Sequence, residues 1–277
     1  LNTVVYCLNC VNRFTPHTTD RTVEMGAGGL YSRTHQTGVV TASAVWPHLY
    51  SSRQRSRLNH RHLFAMLNYL TVPVTPFQQN CSIVWCDETM KAAVIDPGGD
   101  LDVLLAEVNR LGVTLEQIWL THAHIDHAGG TAELAEKLKL PIIGPHPADQ
   151  FWIDGLPQQG KMFGFAHADA FKPTRWLADG DTVQIGNATL NVRHTPGHTP
   201  GHVVFHSSEI QRAFVGDVLF AGSIGRTDFP QGDHDTLIAS ITQRLWPMGD
   251  DTVFIPGHGP ESTFGRERKV NPYVAGT

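Results

Sequence analysis

"LTHAHIDHAGG", residues 120–130, brings His122, His124, Asp126 and His127 into six consecutive positions. It follows Gln117-Ile118-Trp119-Leu120, which reads as a strand. It ends at Gly129-Gly130, after which Thr131–Lys139 reads as a helix with Leu134 and Leu138 one turn apart. On an extended chain, residues two apart point to the same side. His122 and His124 can therefore grip one ion as the strand ends. Asp126 and His127 are adjacent in a turning segment and can reach a second ion nearby. H-x-H-x-D-H thus reads as half of a two-metal site.

The other half is expected elsewhere in sequence, again just past strands. "HTPGHTPGH" (194–202) follows Thr189–Val192 and offers His198. "FVGDVLF" (214–220) follows Ala213–Val215 and offers Asp217. "FIPGHGP" (254–260) follows Thr252–Ile255 and offers His258. In two of the three a Pro-Gly turn precedes the histidine, which lets the backbone reverse and aim the ring inward. Five histidines and two aspartates suit zinc, iron or manganese rather than a soft ion such as Cu(I), and zinc stands first. With no thiolate in the set, a closed structural zinc site is excluded.

The surrounding punctuation predicts an α/β chain. Tyr69–Val74, Ser82–Trp85 and Ala92–Ile95 read as strands. Residues 101–111 place Leu101, Leu104, Leu105, Val108 and Leu111 on one helical face, stopped by Gly112. Pro141–Ile143 is a short strand, and an irregular stretch covers 144–176. Thr182–Ile185 and Thr189–Val192 flank Gly186-Asn187 as a hairpin. Val203–Phe205, Ala213–Val215 and Thr252–Ile255 complete the strands, with a helix over Asp235–Trp246. Sheets covered by helices are implied.

Residues 1–65 differ in texture. They carry no sustained period, seven Arg, no Lys, and only Asp20 and Glu24, for a net charge of +5, whereas residues 66–277 carry −10. They read as a disordered or non-native leader, and the catalytic domain is expected to occupy 66–277. The acidic main body argues against a nucleic-acid substrate. No run of eighteen apolar residues suggests a membrane span. Four cysteines in 277 residues and no visible signal peptide point to the cytoplasm.

T-H-x-H-x-D-H, T-P-G-H-T, G-D and P-G-H, in this order, resemble the metallo-β-lactamase superfamily over residues 66–277. "IDPGGD" (95–100), "GSIGRTDFPQGDH" (222–234) and "IPGHGP" (255–260) are most similar to its glyoxalase II-like hydrolases, especially the short single-domain bacterial branch. The resemblance implies a four-layer αββα sandwich with the ligand loops along one edge. It implies two divalent ions, one on His122, His124 and His198, the other on Asp126, His127 and His258, with Asp217 bridging. It implies thioester hydrolysis, with a small S-acyl thiol, glutathione-linked as in S-lactoylglutathione, as substrate. Asp217 and Asp126 then take catalytic parts, Asp126 as a proton acceptor. "GRTDF" (225–229) also resembles the persulfide dioxygenases, which hold one iron on residues matching His122, His198 and Asp217. A non-catalytic metal-binding protein is the third reading, disfavoured by the mixed His and carboxylate ligands. Longer glyoxalase II enzymes bind glutathione through a C-terminal helical domain. Here nineteen residues follow His258, among them Arg266, Arg268 and Lys269.

Some residues carry two readings. Asp96 is either a turn residue or a partner that orients a ligand. Arg226 either binds a substrate carboxylate or fixes its own loop through Asp228 or Asp233, and the second is favoured. His194, His202 and His206 read as hydrogen-bonded or exposed bystanders, and Cys81 and Cys86 as buried apolar residues. Phe151, Trp152, Met162 and Phe163 are divided between pocket wall and plain core.

Overall fold

The computed structural model describes residues 66–277, so the expectation for residues 1–65 lies outside the described residues. Two sheets lie face to face. The first holds β1 (Leu67–Val74), β2 (Gln79–Cys86), β3 (Lys91–Ile95), β4 (Thr114–Trp119) and β5 (Ile142–Ile143), in that order. Its first three strands are antiparallel, and β3, β4 and β5 run parallel. The second contains β6 (Thr182–Ile185), β7 (Ala188–His194), β8 (Val203–Ser207) and β9 (Arg212–Gly216). Beyond a small hairpin of β10 (Leu219–Phe220) and β11 (Ser223–Ile224), it is completed by β12 (Val253–Pro256) and β13 (Ser262–Thr263). Its order is β13-β12-β9-β8-β7-β6, with β12 parallel to β9.

Strand parity builds the layers. Successive side chains point to opposite faces. On β3, Ala92 and Val94 therefore face outward, where α1 (Leu101–Leu111) brings Leu104 and Val108. Ala93 and Ile95 face inward, where they meet Phe205 and Phe214 of the second sheet. The second sheet repeats the pattern: Val204, Ala213 and Val215 turn outward and pack on Leu237, Ile241 and Phe264. Three apolar cores separate four layers, so the αββα sandwich expected from sequence is observed. The Gly186-Asn187 hairpin also forms, with Ile185 paired to Ala188.

Two expectations need correction. The stretch 144–176 is not irregular throughout. A single 3-10 turn at Pro147–Asp149 leads into α4 (Gln150–Phe163), which buries Trp152, Ile153, Leu156, Gln159 and Gly160. That spacing is helical, but Gly155, Pro157 and Gly160 conceal it, because Gly and Pro are poor helix formers. Packing of the buried face overrides propensity here. The helix expected over 235–246 begins as α5 (His234–Ser240), but a wider π turn at Ile241–Leu245 and a 3-10 turn at Trp246–Met248 finish it. Between β4 and α3 (Thr131–Leu138), the segment Ile125–Ala128 forms a one-turn helix, α2. The chain closes with α6 (Phe264–Val270).

The C-terminal ends of β3, β4, β7, β9 and β12 meet along one edge. There the two sheets are tied together: Val203 N donates to Thr121 O at 2.8 Å, and Asn80 N donates to Gly257 O at 2.7 Å. No helix among the described residues is long and apolar enough to cross a membrane.

Candidate metal centre

All seven residues read as ligands from sequence converge on this edge. His122 and His124 leave β4, Asp126 and His127 ride on α2, His198 follows β7, Asp217 follows β9 and His258 follows β12. Three groups emerge in which the donor atoms all lie within 4.8 Å of one another: the triads His122, His124 and His198, and Asp126, His127 and His258, and a third group, Asp96, His122 and His127, whose Asp96 is already engaged by Thr121 and His127. Asp217 lies between the two triads. Its Oδ1 is 3.3 Å from His127 Nε2, and its Oδ2 is 3.6 Å from His198 Nε2 and 3.7 Å from His258 Nε2.

The hydrogen-bond network around the rings assigns the tautomers. His127 Nδ1 donates to Asp96 Oδ2 at 2.9 Å. His198 Nδ1 donates to the carbonyl of Arg226 at 2.7 Å, and His258 Nδ1 to that of Phe77 at 3.2 Å. His122 reaches the same state in two steps. Thr121 spends its hydroxyl proton on Asp96 Oδ2 at 2.6 Å, so its oxygen can only accept from His122 Nδ1, 3.0 Å away. In all four rings Nδ1 holds a proton for an outer oxygen, and Nε2 turns inward. His124 enters from the other side, with Nδ1 2.9 Å from His198 Nε2.

The inward atoms are left over. His122 Nε2, His127 Nε2 and Asp217 Oδ1 are buried with no hydrogen-bond partner, as is His124 Nε2 on the side of its ring away from His198. An unsatisfied buried polar atom costs about 1–3 kcal/mol, and here three gather in one place. A cation answers such a set, and the residues fit a two-metal site. Charge agrees. Burial presses His127 and His258 toward neutrality, yet Asp217 and Asp126 outweigh it and hold both above the ordinary histidine range. Burial would raise Asp217, but His127 and His258 hold it well below the carboxylate range. His122 is lowered by burial and then by the neighbouring histidines, so it stays neutral and able to ligate.

Asp96 serves in both of its readings. It takes a left-handed turn conformation (φ 55°) at the end of β3, and its carboxylate also accepts Thr121 N at 2.7 Å, Thr121 Oγ1 and His127 Nδ1. Arg226 makes two bonds to Asp228, 2.8 Å from Nε to Oδ1 and 2.6 Å from NH2 to Oδ2, and lies 4.6 Å over the Phe229 ring. The pair with Asp228 that the loop-fixing reading expects is present. Asp233 instead caps α5 through Thr236 N.

Trp152 meets His124 edge to face at 4.4 Å, and Phe229 lies 4.9 Å from the same ring, so both belong to the wall of the centre. Phe151 and Phe163 are half-buried, and Met162 is exposed. Cys81 and Cys86 are buried, as read. His202, read as a hydrogen-bonded or exposed bystander, is hydrogen-bonded: its Nε2 accepts the backbone N–H of Asp217 at 3.1 Å. Sequence reasoning missed Thr121 and Asp149 altogether. Asp149 is buried and accepts from Ala123 N, Thr199 Oγ1 and Gly201 N. Burial lifts its pKa to about 6 against those donors. Its only signal in sequence was a place at the start of a helix that was itself obscured.

Comparison with known proteins agrees with this geometry. The family profile described as the metallo-beta-lactamase superfamily matches residues 74–258. The hydroxyacylglutathione hydrolase GloC of Haemophilus influenzae is 44% identical over 209 residues, covering 75% of this chain and 98% of that protein. The solved structure of the BLEG-1 B3 metallo-beta-lactamase superposes with a TM-score of 0.70 at 34% identity, covering 76% of this chain and all of that one. That of TTHA1623 in a di-iron-bound form superposes at 0.67 and 38% identity, covering 74% of this chain and all of that one.

Proposed function

The chain belongs to the metallo-beta-lactamase superfamily of metal-dependent hydrolases, and from that premise we propose that it hydrolyses thioesters of small thiols, S-lactoylglutathione among them. The observation that carries the proposal is the set of four imidazoles with Nδ1 committed outward and Nε2 turned toward two carboxylates, the Nε2 of His122 and His127 having no hydrogen-bond partner. The relative in Haemophilus influenzae, by its name an acylglutathione hydrolase, supplies the substrate class.

In this reading His122, His124 and His198 would hold one divalent ion, Asp126, His127 and His258 the other, and Asp217 both, with zinc ahead of iron or manganese. Bound there, the ions would supply a water ionised near neutral pH and an electrophile for the thioester carbonyl oxygen. Asp126, whose Oδ2 lies 3.1 Å from His258 Nε2, is positioned to take the proton that water gives up as it adds to the carbonyl carbon. The C–S bond then breaks, and the thiolate takes a proton to leave as thiol beside the carboxylic acid. Trp152 and Phe229 make one wall of the site apolar. In this reading Arg226, paired with Asp228, fixes its own loop.

The test is elemental analysis of the purified protein beside two assays. Two ions per chain with turnover of S-lactoylglutathione supports the proposal. One tightly held iron, with oxygen consumed on glutathione persulfide, would overturn it in favour of a dioxygenase. We also propose that residues 66–277 form the catalytic domain and that it functions without residues 1–65. A chain begun at Met66 should bind metal and turn over as the full chain does, and loss of either would refute this.

A further inference from the structure

Asp149 lies outside the seven proposed ligands, yet it joins the two loops that carry three of them. Its Oδ2 accepts from Ala123 N, between His122 and His124, at 3.0 Å. The same oxygen accepts from Thr199 Oγ1, next to His198, at 2.9 Å. Its Oδ1 accepts from Gly201 N at 2.6 Å. Asp149 and Thr199 are fully buried, and no Lys or Arg among the described residues pairs with Asp149. No hydrogen bond of Asp149 reaches α2 or the turn after β12, which carry Asp126, His127 and His258.

The setting makes this carboxylate a fixed strut. Asp149 ends a 3-10 turn opened by Pro147 and capped by His146, whose own N–H donates to Gly201 O at 3.0 Å. Three residues on, Trp152 leans on the His124 ring. The second Pro-Gly of "HTPGHTPGH" now has a reason. A Cβ on Gly201 would lie 2.6 Å from Asp149 N and Oδ1, so only glycine lets the loop come this close. Across the strut, His124 Nδ1 and His198 Nε2 come to 2.9 Å.

We infer that Asp149 is a positioning residue that sets the separation of the His122–His124 loop from the His198 loop, and so the affinity of one ion site and not the other. This rests on the two-ion reading given above. A carboxylate can accept all three bonds, whereas an amide offers one oxygen and presents N–H to a donor. Partners of this kind typically change metal affinity by about 10–100-fold.

The experiment measures zinc affinity of the full chain, stripped by chelation, by competition with a chromophoric chelator. Asp149→Asn is compared with its parent in two backgrounds. With His258→Ala the ion on His122, His124 and His198 remains, and Asp149→Asn should weaken it at least about tenfold. With His124→Ala the other ion remains, and its affinity should stay within about twofold. Thr199→Val, which removes one of three bonds, should give a smaller loss of roughly threefold in the first background only. This variant decides the matter if Asp149→Asn does not fold. Equal weakening in both backgrounds would show a general structural role and overturn the inference, as would no weakening in either. In these cases the unsubstituted chain still binds two ions, so the two-ion reading stands. A chain that binds no zinc overturns both.

Discussion

Asp96→Asn should weaken both ions at once. Asp96 holds His127 directly, and it holds His122 through Thr121, so one carboxylate sets the tautomer of a ring in each triad. It accepts three donors: Thr121 N, Thr121 Oγ1 and His127 Nδ1. Asparagine has the same shape but one acceptor oxygen. If its nitrogen faces His127, the ring must move its proton to Nε2, which blocks the inward lone pair. If the amide turns over, its N–H faces the backbone N–H of Thr121. Either arrangement loses a hydrogen bond to a charged group, about 1.5–3 kcal/mol. At about 1.4 kcal/mol per decade this is a roughly 10–150-fold loss of affinity, and kcat should fall with occupancy.

The assay is zinc competition in the same single-site backgrounds, with melting temperatures taken in chelator and in excess zinc. A positioning effect narrows the gap between the two melting temperatures, because ligand binding stabilises by mass action. A merely structural effect lowers both equally. If Asp96→Asn keeps two ions at unchanged affinity, or if only one triad is weakened, the coupling through Thr121 is wrong.

Gly257→Ala should remove metal while the sandwich persists, because a Cβ there would run into Asp217 Oδ1 and His127; ordinary metal content in the folded variant would refute it. Arg226→Lys should lower the melting temperature by no more than about 4 °C, as an exposed pair contributes about 1 kcal/mol at most. It should shift KM equally for charged and neutral thioesters, and a KM change confined to anionic substrates would restore the substrate-binding reading. His127 and His258 hold protons above the ordinary histidine range in the metal-free chain, so an ion must displace them. Apparent zinc affinity should therefore rise with pH above about 6.5, roughly tenfold per unit for each proton released. Calorimetry in buffers of different ionisation enthalpy would count those protons, and a count of zero would contradict the assignment.

The strands and the seven residues that converge at their ends were legible in sequence for the same reason. β3, β9 and β12 are short, mostly apolar runs and β4 ends in one (Ile118-Trp119), and each is followed by a polar residue or a Pro-Gly turn that marks where the chain leaves the sheet. α4 was not legible, because Gly155, Pro157 and Gly160 mask a helical face that only becomes necessary once β4 and α3 lie beneath it. Asp149 was lost with it. Asp96 was visible but undecided, since a turn aspartate and an orienting aspartate look alike until the His127 ring is seen beside it.

His202 shows where the limit lies. In "HTPGHTPGH" it occupies the same local motif as His198, a histidine directly after Pro-Gly, and both rings are buried. What separates them is the fate of Nε2. In His198 the outer oxygen of Arg226 takes Nδ1–H, and Nε2 faces His124 and Asp217. In His202 the backbone N–H of Asp217 occupies Nε2, while Nδ1 meets Thr195 Oγ1 at 3.2 Å. Both of its nitrogens are used, so none remains for an ion. Its ring lies stacked on His122 at 4.8 Å, close enough to be mistaken for a ligand by distance alone. The difference resides in β9, the strand beside β8, whose end carries Asp217, and no local pattern around residue 202 contains it. Ligand and support are thus told apart by which nitrogen is already engaged, and His202 acts on the ions only by fixing the backbone from which Asp217 reaches them.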